Sequence, residues 1–238
     1  MDYIQLSNGV KYYNDKFLHW NTSYERLRKI GDWYWLHLEE LSEEKARTEV
    51  IDFLNKWLCR TNCNTSSLMH AISRLPNLYK ALIDESIESI DLGRMKTVDE
   101  RQMTNQEIIR KIMNTLLDVR DKFGPVPASK LMHMALPNLF MMWDSGIREK
   151  YNLGTSYAPT HSLYYVRFLK LMQIQLTHAI TTCSKHFNID FRGALLKIRK
   201  EDSNATLTRI ADKYNFALRD GKVDICHECY ERWIKTTT

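Results

Sequence analysis

The sequence predicts an all-α fold, a multi-helix domain with two helices joined by a hairpin at its centre. Only 8 Gly and 5 Pro occur in 238 residues, so long stretches contain few residues that interrupt helices. In most of these stretches apolar residues recur at spacings of three and four, the period of a helix buried along one face. The 44% hydrophobic and 26% charged content is typical of a globular chain.

Residues 1–103 predict an N-terminal helical subdomain. Residues 1–16 are polar with scattered aromatic residues, and we expect a loose arm or a short pair of strands. Helices are then predicted over residues 22–38, 43–60, 65–75 and 76–82. Three of them follow Asn, Ser or Thr, whose side chains cap helix starts, and the fourth begins with Pro76. The polar residues 85–103 are predicted to connect this part to the next.

Residues 104–160 form the region around which the chain is organised. An amphipathic helix is predicted behind an Asn105 cap, and Phe123-Gly124-Pro125-Val126-Pro127 then ends it, because proline cannot continue a helix. A second helix follows over Ala128–Ala135. The apolar residues 139–143 then lead to Asp144 at the start of another helix. The sequence therefore predicts two helices joined by a tight turn, then a short apolar segment that ends directly before the carboxylate of Asp144.

Residues 161–238 predict C-terminal helices that pack with the N-terminal part. A loop over residues 151–160 precedes a long helix, residues 161–185, whose apolar residues are spaced by threes and fours. Two more helices are predicted over residues 191–200 and 205–218. The tail contains Cys226-His227-Glu228-Cys229.

Residues 118–151 resemble the helix-hairpin-helix DNA glycosylase superfamily, base-excision enzymes of the 8-oxoguanine glycosylase and endonuclease III kind. The family pattern is a hairpin of the L-P-G-V-G-x-K-T-A kind followed by V-D-x-x-V-x-R. Here Pro125-Val126-Pro127-Ala128-Ser129-Lys130 and Trp143-Asp144-Ser145-Gly146-Ile147-Arg148 match these two parts. Prolines replace the hairpin glycines, a gapless match puts Ser129 at the lysine position, and the lysine-to-aspartate spacing is about one helical turn shorter.

The resemblance implies removal of a damaged base that is flipped out of double-stranded DNA. Asp144 would stabilise the positive charge that develops on the sugar and orient water, although an Asp at this place is also an ordinary helix cap. Lys130 would attack the sugar carbon and form a Schiff base, which allows strand cleavage by a lyase step. If Ser129 holds the lysine position instead, water is the nucleophile and no lyase step follows.

Further residues are candidates for substrate and DNA contacts. Trp143, His133 and Ser129 are predicted to line a substrate pocket, and aromatic rings in general suit stacking against a flipped base. Residues 110–170 contain nine Lys/Arg against four Asp/Glu, which accounts for the whole net charge of +5 and favours contact with phosphates. The predicted DNA-binding residues are Lys122, Gly124, Val126, Ala128, Arg148 and Lys150.

The cysteines and the apolar pattern bear on compartment, cofactor and partners. Five cysteines without a secretion signal predict a reducing interior, cytoplasmic or of the nucleoid or nucleus, and no apolar run predicts a membrane contact. The pairs Cys59-x3-Cys63 and Cys226-x2-Cys229 form a zinc site only if they meet, and an iron–sulfur loop needs four clustered cysteines. We therefore expect no metal and no cofactor, a monomer, and double-stranded DNA as partner. The alternative is a non-catalytic helix-hairpin-helix module that binds DNA or supports a larger complex.

Overall fold

The computed structural model describes residues 1–153, 160–202 and 205–237, and these are mostly helical, so the all-α prediction is confirmed. Two short antiparallel strands, β1 (Met95–Val98) and β2 (Arg101–Thr104), form the one sheet in these ranges. No helix in the same ranges combines the length and the apolar character needed to cross a membrane. The helices are α1 (Tyr3–Lys16), α2 (Leu18–Arg28), α3 (Asp32–Leu36), α4 (Glu43–Lys45), α5 (Asp52–Lys56), α6 (Thr65–Ile72), α7 (Pro76–Leu82), α8 (Asn105–Leu117), α9 (Pro125–Ala135), α10 (Ser145–Lys150), α11 (His161–Phe187), α12 (Phe191–Lys200), α13 (Leu207–Arg219) and α14 (His227–Thr237).

The N-terminal segment is a helix, so the prediction of an arm or strand pair is wrong. Asp2 caps α1 with a capping box, in which its carboxylate accepts from the Gln5 N–H and the Gln5 side chain accepts from the Asp2 N–H. One face of α1 is buried, and the helix packs along α13 and α11. A Cβ at Gly9 would lie 2.9 Å from the Tyr214 Cα, so the close approach of α1 and α13 needs glycine there.

Several predicted helix starts are confirmed, and the differences have local causes. Ser42 and Asn64 cap α4 and α6, and Pro76 begins α7. The predicted helix over residues 22–38 is divided into α2 and α3 at Gly31, whose φ of 107° is incompatible with a helix. A π-helical segment, Ala46–Ile51, joins α4 to α5. The predicted connection over residues 85–103 contains most of the β1–β2 hairpin.

The central hairpin, α8 and α9, has a longer turn than predicted. Thr104, not Asn105, caps α8 and forms a capping box with Glu107. α8 ends at Leu117, and Gly124 is the N-cap of α9 instead of the end of α8. The turn between them contains the buried side chains of Val119 and Phe123. These two residues anchor the turn in the core, so a longer connection than the predicted tight turn can join the two helices.

The long helix α11 lies at the centre of the C-terminal part. It contacts α1, α8, α12, α13 and α14, and most of its side chains are buried. α12 has its predicted bounds, whereas α13 begins two residues later than predicted, behind a Thr206 cap. Of the predicted loop over residues 151–160, residues 154–159 lie outside the described ranges. α13 also contacts α10, which brings the C-terminal helices next to the segment that begins with Asp144.

Candidate active site

A cavity of about 370 Å³ lies between α1, α2, the end of α5, α9, α10 and α13. We call it the central cavity. It contains both of the residues to which the sequence assigns chemistry, and it is lined by aromatic rings and by cations from distant parts of the chain. The charged and aromatic side chains that line it are Tyr13, Trp20, Trp57, Lys130, Asp144, Arg209, Phe216 and Arg219.

Asp144 caps α10 and also faces the central cavity. Its Oδ1 accepts a hydrogen bond from the Ile147 N–H at 2.8 Å. Its Oδ2 lies 3.2 Å from Nη1 of Arg219, a residue of α13. The two roles foreseen for this residue are therefore compatible in the structure. One oxygen orients the helix, and the other, together with Arg219, lies at the cavity wall.

Lys130 reaches the central cavity from the middle of α9 instead of its start. The side chain is 9% exposed, and its Nζ donates to the Trp57 carbonyl oxygen at 2.6 Å. The ammonium also lies 5.6 Å from the centre of the Trp57 ring. This carbonyl fixes the amine at the end of α5, so an attack by Lys130 on a substrate requires release of that hydrogen bond.

Ser129 is buried and does not line the central cavity, so its assignment to the substrate pocket is corrected. Its hydroxyl donates to the Val126 carbonyl at 2.9 Å and accepts from the Trp143 N–H at 3.0 Å. The hydroxyl thus links α9 to the strand-like segment before Asp144. Of the two candidates for the lysine position, Lys130 lines the same cavity as Asp144, whereas Ser129 lies in the core.

Trp143 and His133 are also buried in the core and do not line the central cavity. The Trp143 ring stacks on Phe168, with centroids 6.0 Å apart. His133 Nδ1 lies 2.7 Å from the Phe140 carbonyl oxygen and Nε2 lies 3.0 Å from the Tyr24 hydroxyl. Burial lowers the pKa of His133 to about 3. Both assignments to a substrate pocket are corrected because α9 and the segment after it are enclosed by other helices.

A second, open cavity of about 630 Å³ adjoins the central one at Cys59 and Val126. We call it the hairpin groove. Arg60, Lys122 and Arg148 line it, which gives it a basic character. Lys150 is exposed but does not line it. We refer to Lys122, Arg148 and Lys150 as the hairpin cations.

The backbone of the hairpin offers few donors to a phosphate. Pro125 and Pro127 have no N–H, and the Ala128 N–H donates to the Gly124 carbonyl at 3.2 Å. Ala128 is fully buried, so its assignment as a DNA-binding residue is corrected. Gly124 and Val126 line the hairpin groove, and the Val126 N–H is the backbone donor that remains in the first turn of α9.

Three charged residues of α13, of which Arg209 and Arg219 line the central cavity, were not found from the sequence. The buried guanidinium of Arg209 lies 4.9 Å from the Tyr13 ring centre and 4.5 Å from the Tyr24 ring centre. Asp212 accepts from the Met142 N–H at 3.2 Å, and burial raises its pKa well above the ordinary value. Arg219 pairs with Asp144 as described. Their spacing of three to seven along one helix was the available signal, but a solvated helix face has the same pattern.

The structure thus brings Lys130 and Asp144 into one cavity, with a basic groove beside it. Arg209 and Arg219 join them from α13, and Trp20 and Trp57 supply aromatic rings from the N-terminal helices. Comparison of the chain with protein-family models, with curated proteins and with solved structures finds no match to any of them.

Proposed function

We propose that the chain is a DNA N-glycosylase of the helix-hairpin-helix kind, which removes a damaged base flipped out of double-stranded DNA. The observation that supports this most is that Asp144, which matches the family's aspartate, and Lys130, one of the two candidates for its lysine, line one cavity. The cavity volume of about 370 Å³ falls within the range of pockets for small ligands, ~300–1,000 Å³. A pocket of this size suits a single flipped nucleotide.

The walls of the central cavity suit a nucleobase. Trp20, Trp57 and Phe216 provide π faces, and bases of every kind stack on such rings. Trp20 and Phe216 lie edge to face, with centroids 5.9 Å apart, so their positions are fixed before a ligand enters. The hairpin groove next to the cavity would hold the backbone phosphates through Arg60, Lys122 and Arg148.

Asp144 supports the chemical step as a fixed negative charge. Cleavage of the N-glycosidic bond leaves positive charge on the sugar, and a carboxylate held in place before the reaction stabilises that charge. The hydrogen bond from Ile147 and the contact with Arg219 fix the orientation of Asp144. Entry of substrate into the cavity would weaken the contact with Arg219, so that the carboxylate could face the sugar.

Lys130 supports a lyase step. Its amine would attack the sugar carbon, and the base would leave with the bonding electron pair and take up a proton. The C1′–O4′ bond would then break, with the proton that Nζ loses passing to the ring oxygen, to give a Schiff base on Lys130. Loss of a C2′ proton to water would expel the 3′ phosphate and nick the strand. Because the amine is bound to the Trp57 carbonyl, this step begins with a small displacement of Lys130 or of residues 57–59.

Leu58 supports the base-flipping part of the proposal and was not found from the sequence. It lies at the edge of the central cavity, it is 64% exposed, and its φ of 61° is unusual for a branched apolar residue. An exposed apolar side chain beside such a pocket can insert between base pairs and occupy the gap that a flipped base leaves. Its strained backbone holds the side chain outward instead of in the core.

A non-catalytic DNA-binding module is the second candidate, and the prolines of the hairpin favour it. With Pro125 and Pro127 in the first turn of α9, fewer N–H groups can grip a phosphate than in a glycine hairpin. Incubation with a panel of duplexes that carry different lesions, scored for base release and strand nicking, separates the two. Release of a base supports the glycosylase. Tight binding to DNA without release of a base from any lesion supports the module. Absence of both base release and DNA binding would contradict both proposals.

A further inference from the structure

A cluster of metal-ligating side chains lies where the C-terminal helix meets the long helix α11. His178 comes from α11, and Cys226 and Cys229 come from the start of α14. One potential ligand atom of each residue lies within 4.8 Å of the other two. The two sulfur atoms are 2.8 Å apart, and both cysteines are free. None of the three residues lines the central cavity or the hairpin groove.

The cluster differs from the four-thiolate site considered from the sequence. Cys59 and Cys63 do not join Cys226 and Cys229 in any ligand cluster within the described ranges. The sequence gives no signal for the third residue of the cluster, because His178 is 48 positions before Cys226 and forms no motif with it. α11 and α14 pack on each other, and this contact brings the imidazole to the cysteines.

The local structure places both thiols on one side of the start of α14. Cys226 directly precedes the helix, its carbonyl accepts from the Tyr230 N–H at 3.0 Å, and Cys229 follows within the first turn. Cys229 is 2% exposed, and its sulfur accepts a hydrogen bond from the Met1 amino group at 3.5 Å. A thiol in such a place loses its proton when a metal ion binds and stabilises the thiolate.

We propose that His178, Cys226 and Cys229 bind a Zn²⁺ ion. Two thiolates and one imidazole are donor types that zinc takes in proteins. With Zn–S bonds of about 2.3 Å, a tetrahedral site puts its two sulfur atoms about 3.8 Å apart, so zinc binding would move the sulfurs apart from their present 2.8 Å. The fourth position would be open to a water molecule, because Cys226 and His178 are partly exposed. This assignment replaces the expectation, from the sequence, that the chain binds no metal.

The ion attaches the C-terminal helix to the rest of the fold. The contacts of α14 with the rest of the fold include the hydrogen bond from Trp233 Nε1 to the Arg167 carbonyl of α11 at 3.0 Å and that from the Met1 amino group to Cys229 Sγ at 3.5 Å. The Tyr230 hydroxyl also donates to the Tyr151 carbonyl at 3.4 Å. A zinc ion would add a link between the start of α14 and His178 of α11. Its role is therefore to hold the helix in place, separate from the proposed base excision.

Metal binding by the wild-type chain is the first test. The protein is reduced, freed of metal with a chelator, and given Zn²⁺ alone; we expect about one tightly bound ion per chain. X-ray absorption of the zinc-loaded protein should show two sulfur ligands at about 2.3 Å and the remaining nitrogen or oxygen ligands at about 2.0–2.1 Å. No binding by the reduced protein, or a shell of four sulfur atoms, would overturn the proposal. These measurements do not depend on whether a variant folds.

Variants then locate the ion. The double variant Cys226→Ser/Cys229→Ser should lose the zinc, and His178→Ala should bind it more weakly, with one nitrogen fewer in the shell. Cys63→Ser is the matched control, since Cys63 is also a buried free cysteine but lies outside the cluster. Zinc should raise the melting temperature of the wild type and of Cys63→Ser, but not that of the double variant.

Two further results would overturn the assignment. One is stoichiometric zinc retained by the folded double variant, which would move the site elsewhere. The other is recovery of Cys226 and Cys229 as a disulfide when thiols are trapped with acid directly from cells. In that case the pair would be a redox pair, and zinc binding by the reduced protein would have no counterpart in the cell.

Discussion

Replacement of Asp144 by Asn removes the charge of the proposed catalytic carboxylate and changes little else. Asn caps helices about as well as Asp, so the hydrogen bond that Asp144 Oδ1 accepts from the Ile147 N–H at 2.8 Å should persist. The side chain keeps its size and its place at the wall of the central cavity. What is lost is the negative charge and its ion pair with Arg219.

The structure sets the expected cost of this change for folding. The side chains of Arg219 and Asp144 are 30% and 20% exposed, and ion pairs near the surface contribute about 0.2–1 kcal/mol. A loss of this size lowers the melting temperature by at most about 4 °C in a chain of this length. Removal of a main electrostatic contributor to a transition state costs more, about 10²–10³ in rate or ~2.7–4 kcal/mol. The loss of catalysis should therefore far exceed the loss of stability.

The assay is single-turnover base excision on the preferred lesion, with DNA affinity and thermal unfolding measured on the same samples. Asp190→Asn is the matched control. Asp190 also caps a helix, accepting from the Gly193 N–H at 2.7 Å, but it does not line the central cavity. The control should excise at the wild-type rate. Excision by Asp144→Asn within about threefold of wild type, in a folded protein, would refute the catalytic role of this carboxylate.

Three further predictions test the neighbouring parts of the site. Borohydride should trap the wild type covalently on cleaved DNA but should not trap Lys130→Ala. Ser129→Ala should still be trapped. Because this variant loses the acceptor for the Trp143 N–H, its free energy of unfolding should fall by about 1–3 kcal/mol. Equal trapping of Lys130→Ala would contradict its role as nucleophile. Replacing the three hairpin cations by Ala should reduce the slope of log affinity against log salt by up to about 2.7, measured by fluorescence anisotropy, and an unchanged slope would move the phosphate contacts elsewhere. The control for this variant replaces three exposed lysines outside both cavities, Lys11, Lys45 and Lys80. Because the pKa of His133 is about 3 in the folded chain and about 6.5 when unfolded, the folded state binds fewer protons between these values. The free energy of unfolding should fall as the pH drops from about 6.5 towards 3, and denaturant titrations of His133→Gln should show a shallower fall; an equal fall in the variant would exclude His133 as its source.

The sequence by itself determined the features that depend on local hydrogen bonds and on periodicity. Ser42, Asn64 and Pro76 mark helix starts because a cap or a first-turn proline acts on the residues directly after it. The bounds of α12 follow from the same signals. The N-terminal helix shows the limit of this reasoning. The residues of its capping box are present in the sequence, but its apolar face is narrow. The packing of α13 on this face is what stabilises the helix, and the sequence does not show that contact.

Tertiary structure alone decided which side chains share a site. Nothing local to α9 tells whether Ser129 or Lys130 faces the central cavity, because nearly the whole helix is buried and the neighbouring helices fix its rotation. Arg219 meets Asp144 across 75 positions of sequence, and His178 meets Cys226 in the same way through the contact of α11 with α14. Such pairs arise when helices pack on each other. This packing depends on the burial of apolar surface between distant parts of the chain, so the paired residues have no fixed spacing in the sequence.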